Sequence, residues 1–304
     1  MTTPTMAKAR RARGPQHATR SPAPSATRPR RTRTPLRRAL SGAAALGWTA
    51  LVVVPVYWLV VTSLRNRTDF TSDSPLALPG HPTLDNYRTV LDGDFTTYLL
   101  NSVVVTVATV ALTVVTALMA SFCIVRYTNP WSRLSFRLYL LGLAIPLQAV
   151  IIPVYLLIIR MQMYDSLLAI VLPSAAFALP VTVMILVSFL RDIPRSLFEA
   201  MIVDGAGDWR MLFSLAAPMA RPALMTVAVY DALQVWNGFL FPLILTQSGD
   251  KAVLPLALTL YRGQFGIDVP ATMAAVVLST LPMLVVFVLA RRQLVAGLTA
   301  GFSK

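Results

Sequence analysis

Six apolar stretches, each long enough to cross a lipid bilayer, constrain the fold of this sequence more than any other feature. A spanning helix needs about 20 predominantly apolar residues, and it pairs its backbone polar groups internally because the bilayer core holds no water. The stretches lie near residues 40–64, 99–125, 138–159, 167–190, 222–246 and 270–290. Five contain no charged residue, and the one at 222–246 contains only Asp231. The sequence therefore predicts an all-α integral membrane protein with six transmembrane helices in one domain over residues 39–290.

The composition excludes an ordinary soluble domain. Of the 304 residues, 56% are hydrophobic and 13% are charged, against about 25% charged in soluble proteins. Cys123 is the single cysteine, so no disulfide or cysteine-based metal site forms within one chain. His17 and His81 lie outside the apolar stretches and supply no base or metal ligand inside the membrane. The net charge of +14 would suggest nucleic-acid binding in a soluble protein, but here we attribute it to membrane topology and predict no nucleic-acid partner.

The distribution of lysine and arginine predicts the orientation. The tail 1–38 holds eleven of these cations, and the alternate segments 126–137, 191–221 and 291–304 hold three, four and three. The other three loops hold six in total. Positive charge concentrates on the cytoplasmic side of membrane proteins. We therefore expect a multi-pass membrane protein with both termini in the cytoplasm, and the family resemblance described below implies the bacterial inner membrane.

Residues 1–38 are rich in Arg, Ala, Pro and Thr and contain no acidic residue, which predicts a disordered basic tail. Its cations favour contact with anionic membrane lipid. Arg37 and Arg38 also fit a twin-arginine export signal, but the stretch that follows is long for a signal peptide and has no small-residue cleavage site. We expect that stretch to remain as a helix.

The predicted outer loop at 65–98 and the prolines of the spans mark irregular points. A short helix over 83–92 is expected in the loop, with Thr83 as its N-cap and Asp85 in its first turn. Prolines inside the third, fourth and fifth stretches predict kinks, because proline removes a backbone hydrogen bond.

The loop at residues 191–221 has the pattern of two short helices joined by a turn. Pro194 suits a helix start, and Phe198, Met201 and Ile202 then fall on one face. The turn and second helix are marked by Gly205, Ala206, Gly207, by Asp208 as the cap, and by Pro218 and Pro222 at the end. Such a partly apolar pair of short helices fits two roles equally. It could bind a protein partner, or it could lie on the lipid surface as an amphipathic helix.

The same loop resembles the EAA loop of ABC importer permeases. Glu199-Ala200-Met201 is followed by Gly205 six residues after the glutamate and by Pro218 nineteen residues after it. The family pattern is Glu-Ala-Ala, three residues, Gly, nine residues, Ile, any residue, Leu, Pro. The positions that depart from it conservatively are Met201, Leu215 and Ala217, and Asp204-Gly205-Ala206 is typical of it.

Further segments resemble the sugar-importer (MalG-like) branch of these permeases. They are Leu84-Asp85-Asn86-Tyr87 with Asn101-Ser102, then Trp236-Asn237-Gly238-Phe239, and the terminal Gly297-Leu298-Thr299-Ala300-Gly301. Gly238 stands where Asp is commoner, and Phe302 and Ser303 depart from the family's terminal pattern. The resemblance covers nearly all of the chain after residue 40.

The resemblance implies a permease subunit of a bacterial ATP-driven importer of sugars or oligosaccharides. Its implied partners are a second permease subunit in a heterodimer, a cytoplasmic ATPase dimer and an extracytoplasmic solute-binding protein. The residues implied in ATPase coupling are Phe198, Glu199, Ala200, Met201, Asp204, Gly205, Ala206, Met211, Leu212 and Pro218. The C-terminal tail is implied to reach the ATPase through Gly297, Leu298, Thr299 and Gly301.

This chain has no Gly-x-x-x-x-Gly-Lys-Ser/Thr phosphate loop. We therefore expect ATP and Mg to bind to the partner ATPase, with no catalytic site, cofactor or metal in this subunit. The candidate pathway residues are Gln148, Asp231, Gln234, Trp236 and Asn237. A charge near mid-span costs about 2.5–3.5 kcal/mol or more, so Asp231 is expected to face the bundle interior. It either binds solute hydroxyls or stays protonated in an interhelical hydrogen bond.

Three alternative functions explain part of the sequence. A self-powered secondary transporter or channel accounts for the prolines and Asp231 but not for the EAA spacing. An intramembrane enzyme of the serine type lacks a membrane histidine and a Gly-x-Ser-x-Gly elbow. ABC permeases for amino acids, peptides or phosphate share the EAA loop, and here the Trp-Asn segment and the Gly-Leu-Thr tail favour sugars.

Overall fold

The computed structural model describes residues 35–72, 74–259, 262–263 and 266–300, with side chains over 41–72, 74–259, 268–289 and at Arg291. The helices are α1 (Pro35–Ser63), α2 (Arg67–Ser72), α3 (Asp85–Asp92), α4 (Phe95–Arg126), α5 (Pro130–Gly142), α6 (Leu147–Arg160), α7 (Leu167–Arg191), α8 (Arg195–Val203), α9 (Asp208–Met211), α10 (Ala217–Met219), α11 (Arg221–Trp236), α12 (Leu240–Leu245), α13 (Leu254–Ala257) and α14 (Val269–Ala300). A π-helical turn over Leu212–Ala216 joins α9 to α10. Two-residue strands, Arg262–Gly263 and Gly266–Ile267, pair antiparallel.

The predicted all-α membrane fold is confirmed. Within the described residues, four unbroken segments are long and apolar enough to span a membrane, namely Ser41–Ser63, α4, α7 and Val269–Leu289. Two further spans arise if each bent helix pair counts as one, which makes six. The described residues up to Leu51 belong to one compact unit, and the sites described below lie in a second unit, which begins at Val52.

The third predicted span, 138–159, differs from the structure because it is broken in the middle. Helices α5 and α6 meet at an angle of 105°. The break precedes Pro146, which lacks an N–H group and disfavours helical geometry at the residue before it. By contrast, α6 continues through Pro153 and α7 through Pro173 and Pro180, so the kinks expected there do not interrupt either helix.

The fifth predicted span, 222–246, is also divided. It consists of α11 and α12, separated at residues 237–239, and α11 is bent by 77° from the segment Asp208–Met219. Pro242 explains the break between α11 and α12, because in a continuous helix its ring would clash with the carbonyl four residues earlier, at Gly238. The Gly238 N–H instead donates to the Val235 carbonyl at 2.9 Å and closes a turn.

Helix α3 confirms the short helix predicted at 83–92, with Asp85 in its first turn. The predicted N-cap is wrong by one residue, since Leu84 occupies that position. The Thr83 hydroxyl still accepts a hydrogen bond from the Asp85 N–H at 3.1 Å. Asn86 pins α3 to the end of α1 by donating to the Ser63 carbonyl at 2.9 Å.

The largest buried cluster lies where α4, α7 and α11 meet the segment after α9. It contains Phe122 of α4, Leu186 and Leu190 of α7, Met211 at the end of α9 and Val227 of α11. Small residues within the cluster allow the helices to approach closely, as is usual in membrane bundles. These are Ala117, Ala216, Ala220 and Ala223.

Both chain ends include predicted segments that the structure does not describe. Residues 1–34 of the predicted tail 1–38 lie outside the described residues, and so does Gly301. Helix α14 continues to Ala300, so Gly297–Thr299, which we predicted in a C-terminal tail at 291–304, belong to its helical backbone.

Candidate coupling loop and solute cavity

The loop at residues 191–221, named here the 191–221 loop, contains α8 and α9 joined by a tight turn. Gly205 has a φ of +74°, in the left-handed region that favours glycine. Its N–H donates to the Ile202 carbonyl at 2.9 Å, and the Ala206 N–H donates to the Met201 carbonyl at 2.8 Å. These two bonds satisfy carbonyls at the end of α8 and reverse the chain direction.

The predicted cap of the second short helix is wrong. Gly207 is the N-cap of α9, and Asp208 is its first helical residue. The Asp208 carboxylate instead accepts a hydrogen bond from the Tyr127 hydroxyl at 2.5 Å, beyond the end of α4. The Arg126 Nε also lies 3.9 Å from Asp208 Oδ1. The Asp208 carboxylate thus contacts residues distant in the sequence and does not cap its own helix.

Four residues that we expected to offer apolar contact area to a partner face inward. Met211 and Leu212 are buried, with exposed fractions of 2% and 3%. Phe198 and Met201 are half-buried against the same cluster, and the Phe198 ring lies 6.4 Å from that of Phe122. Helical spacing identifies an apolar face but does not say whether that face covers the chain's own core or a partner.

The exposed apolar face of the 191–221 loop is formed by different residues. Trp209 and Phe213 are exposed by 63% and 61%, and their rings stack with centroids 6.0 Å apart. We name as the exposed apolar face the set of exposed large apolar side chains of the loop, which are Leu197, Ile202, Val203, Trp209, Phe213 and Met219. The aromatic pair was not predicted from the sequence, although its i, i+4 spacing was a usable signal.

The predicted coupling residues with small or charged side chains mostly lie on the surface of the loop. Glu199, Asp204 and Pro218 are exposed, as are Ala200 and Gly205, whereas Ala206 is buried under the turn. The Glu199 carboxylate therefore remains accessible to a partner.

A cavity of about 420 Å³ lies between α4, α7, α11 and α12. Three of the five predicted pathway residues line it, namely Asp231, Gln234 and Trp236. The other two do not. Gln148 is exposed on α6, and the Asn237 side chain donates to the Leu233 carbonyl at 2.7 Å.

Asp231 is hydrogen-bonded to a neighbouring helix, and whether it is protonated there or binds solute hydroxyls stays a prediction. Its side chain is fully buried, and the Thr182 hydroxyl of α7 donates to Asp231 Oδ2 at 2.9 Å and lies 3.2 Å from Oδ1. Trp236 is anchored separately, because its indole N–H donates to the Ser279 carbonyl of α14 at 3.2 Å. The polar groups of the cavity are therefore held by neighbouring helices.

Four hydroxyl-bearing residues of the cavity wall were not predicted as pathway residues. Tyr230 precedes Gln234 by one helical turn on α11, Ser102 and Thr106 are one turn apart on α4, and Ser174 lies on α7. The i, i+4 spacing was the available signal, because such residues share one face of a helix. The cavity consequently combines hydroxyl, amide and carboxylate groups with aromatic surface.

Two polar clamps hold the segment after α12, which supplies Val253 and Pro255 to the cavity wall. Asp165 has a φ of +58° and accepts hydrogen bonds from the N–H groups of Gln247 and Ser248 at 2.8 and 3.0 Å, and from the Ser248 hydroxyl. The Ser248 hydroxyl contributes most to holding the Asp165 pKa below its ordinary value, followed by the two N–H groups.

The second clamp is formed by the first turns of α4. The Asn101 side-chain amide donates to the carbonyls of Asp250 and Ala252 at 2.8 and 2.9 Å. The Ser102 hydroxyl accepts a hydrogen bond from the Leu254 N–H at 2.8 Å. The asparagine–serine pair singled out in the sequence thus fixes one wall of the cavity.

No group of three or more His, Cys, Asp or Glu side chains within the described part of the chain is arranged to hold a metal ion. Cys123 is exposed on α4.

Comparison with known proteins gives concordant matches. Residues 112–299 match the family model described as "Binding-protein-dependent transport system inner membrane component". A putative ABC transporter permease protein, ORF2, from Caldicellulosiruptor sp. (strain Rt8B.4) is 35% identical over 257 residues, covering 84% of this chain and 94% of the relative.

Two relatives from Streptomyces coelicolor (strain ATCC BAA-471 / A3(2) / M145) are named as diacetylchitobiose uptake system permease proteins. NgcG is 34% identical over 86% of this chain and 88% of its own length, and DasC is 31% identical over 88% and 100%. Among solved structures, a bacterial alginate ABC transporter chain in complex with an alginate pentasaccharide-bound periplasmic protein matches with a TM-score of 0.60 and 15% identity, covering 84% of this chain and 92% of that chain. The structural match supports the fold.

Proposed function

This chain belongs to the family of binding-protein-dependent transport system inner membrane components, and from that premise we propose that it carries a sugar or oligosaccharide across the bacterial inner membrane. As an ABC transporter permease, it is the membrane subunit of an importer and not an enzyme. The solute is delivered by an extracytoplasmic binding protein and moves by alternating access, driven by a separate ATPase.

The observation that carries the sugar assignment is the extent of similarity to named sugar permeases. Both Streptomyces coelicolor relatives exceed 30% identity over more than four fifths of this chain, and both are named for diacetylchitobiose uptake. The chemistry of the cavity supports the same class of solute. Gln234 offers an acceptor for hydroxyl groups, and Tyr230 offers both a hydroxyl and a ring face.

Coupling takes place at the 191–221 loop. Its exposed apolar face, which includes the stacked rings of Trp209 and Phe213, supplies the aromatic anchors that dominate many protein interfaces. Glu199 is exposed in the same loop and meets a basic group of the ATPase. The inward-facing Met211 and Leu212 pass the motion into the α4–α7–α11 core.

The remaining partners follow from this arrangement. ATP and Mg bind to a cytoplasmic ATPase dimer, and a second, different permease subunit completes the pathway. The 191–221 loop and both termini lie on the cytoplasmic side, as the lysine and arginine distribution indicates. The end of the chain around Gly297–Gly301 contacts the ATPase, and the basic tail 1–38 contacts anionic lipid.

Uptake by the reconstituted importer tests this proposal. The chain, its second permease, the ATPase and the binding protein are placed in proteoliposomes, and accumulation of labelled oligosaccharides is compared with that of labelled amino acids and dipeptides. We expect ATP-dependent accumulation of an oligosaccharide only. Accumulation of amino acids or dipeptides alone, or equal uptake without the ATPase, would contradict the proposal.

A further inference from the structure

We propose that Tyr127 and Arg126, at the end of α4, are positioning residues that hold Asp208 and make the second short helix of the 191–221 loop move together with α4. This inference rests on the proposed function, in which that loop receives motion from an ATPase. It adds a connection that does not follow the chain, because Tyr127 and Asp208 are separated by 81 positions in the sequence.

The contact joins one carboxylate to two groups. The Tyr127 hydroxyl donates to Asp208 Oδ2 at 2.5 Å, and the Arg126 Nε lies 3.9 Å from Asp208 Oδ1. An ion pair at that distance with both side chains partly exposed contributes little by itself. The hydrogen bond from an uncharged hydroxyl to a carboxylate is the stronger and more directional part.

Tyr127 lies in the short segment between α4 and α5, where hydrogen bonds fix the backbone. Its own N–H donates to the Cys123 carbonyl at 3.0 Å and ends α4. The Ser132 hydroxyl donates to the Ile124 carbonyl at 2.9 Å, and Asn129 caps α5 by accepting from the Ser132 N–H at 2.8 Å. The position of the Tyr127 backbone is therefore tied to two helices at once.

Asp208 follows a turn whose glycines leave the backbone more conformations than the residues around Tyr127 have. It directly follows the turn that contains Gly205 and Gly207, and glycine restricts the backbone least of all residues. Beyond it, Met211 and Leu212 are buried against the core. The contact with Tyr127 thus fixes the first residue of α9, which lies between the glycine-containing turn and the buried Met211 and Leu212.

The consequence is a polar connection to α4 beside the apolar packing. The chain itself connects the 191–221 loop to α7 and α11, Phe198 packs on Phe122 of α4, and the Tyr127–Asp208 bond adds a directional contact to the end of α4. Helix α4 packs against α7 and presents Ser102 and Thr106 to the cavity. A displacement of α9 is therefore transmitted along α4 to the solute cavity.

The test uses the complete importer in proteoliposomes and measures solute accumulated per ATP hydrolysed. Tyr127→Phe removes only the hydroxyl, and we expect the ratio to fall about three- to ten-fold while the ATPase remains associated. Asp208→Asn retains an acceptor oxygen and should stay close to the unaltered protein, whereas Asp208→Ala should match Tyr127→Phe. The double variant Tyr127→Phe/Asp208→Ala should be no worse than either single variant.

Tyr57→Phe is the matched control, because its hydroxyl donates to the Leu76 carbonyl at 3.1 Å in a different loop. We expect it to leave the ratio unchanged. An unchanged ratio in Tyr127→Phe, or losses that multiply in the double variant, would overturn the inference. If Tyr127→Phe fails to insert, the comparison of Asp208→Asn with Asp208→Ala decides.

The proposed function fails separately, if the unaltered importer shows no ATP-dependent oligosaccharide uptake. If uptake is present but none of these variants changes the ratio, only the positioning role is wrong.

Discussion

The turn between α8 and α9 depends on the backbone of a single residue. Gly205 has a φ of +74°, and Gly207, two residues later, has a φ of −76°. A Cβ atom added at either glycine meets nothing within 4 Å, so sterics with neighbours do not distinguish them. Only the backbone conformation separates the two positions.

Alanine at the two glycines should therefore have different effects. Gly205→Ala is expected to destabilise the turn by about 1–2 kcal/mol and to weaken ATPase association, because L-residues are strained in the left-handed region. Gly207→Ala has an allowed backbone and should change association much less. Co-purification of the ATPase with each variant measures this, and equal losses would argue against a role for the left-handed turn.

Among the elements, α7 and α11 are joined inside the bundle by a hydrogen bond between Thr182 and Asp231. Thr182→Val removes the donor while keeping the shape, and the buried carboxylate is left without that donor. We expect a loss of about 1–3 kcal/mol in the free energy of unfolding, measured by denaturation in detergent micelles. Thr226→Val on α11 is the control, since the Thr226 hydroxyl bonds only the Pro222 carbonyl of its own helix, at 2.9 Å.

The clamp between Asp165 and the segment after α12 should depend on pH. Its hydrogen bonds lower the Asp165 pKa in the folded protein below the unfolded value of about 3.9. The stabilisation is therefore present above that unfolded value and is lost as the pH falls through the folded pKa. Hydrogen exchange of peptides covering 246–251, corrected for intrinsic rates, should increase between pH 7 and pH 3.

The matched variant for this experiment is Asp165→Ala. It should exchange quickly in the same segment at both pH values, because no carboxylate remains to titrate. If the variant shows the pH dependence of the unaltered chain, another group is responsible for it.

For the whole molecule, assembly with an ATPase should depend on the exposed aromatic pair and not on the buried methionine and leucine. Trp209→Ala is expected to weaken ATPase association at least about ten-fold, since exposed tryptophans that become buried in an interface often dominate its affinity. Trp131→Ala removes an even more exposed tryptophan, from α5, and serves as the control. Equal effects of both changes would place the interface elsewhere.

The sequence by itself determined the class of protein and the kind of loop. Apolar stretches of spanning length leave the backbone no alternative to helices in a bilayer, and the EAA spacing at Glu199, Gly205 and Pro218 indicated the permease family. Local chemistry also predicted α3 and the turn at Gly205, because helix starts and left-handed backbone depend on neighbours in the chain, although the caps of α3 and α9 each lie one residue from the predicted position.

The tertiary structure decided every feature that depends on residues distant in sequence. It turned Met211 and Leu212 inward and left Trp209 and Phe213 outside, which a helical pattern alone does not distinguish. It placed Asp231 but not Gln148 at the cavity, and it gave Asp208 a partner 81 positions away. The physical reason is that packing selects among apolar faces and polar partners that local spacing leaves equivalent.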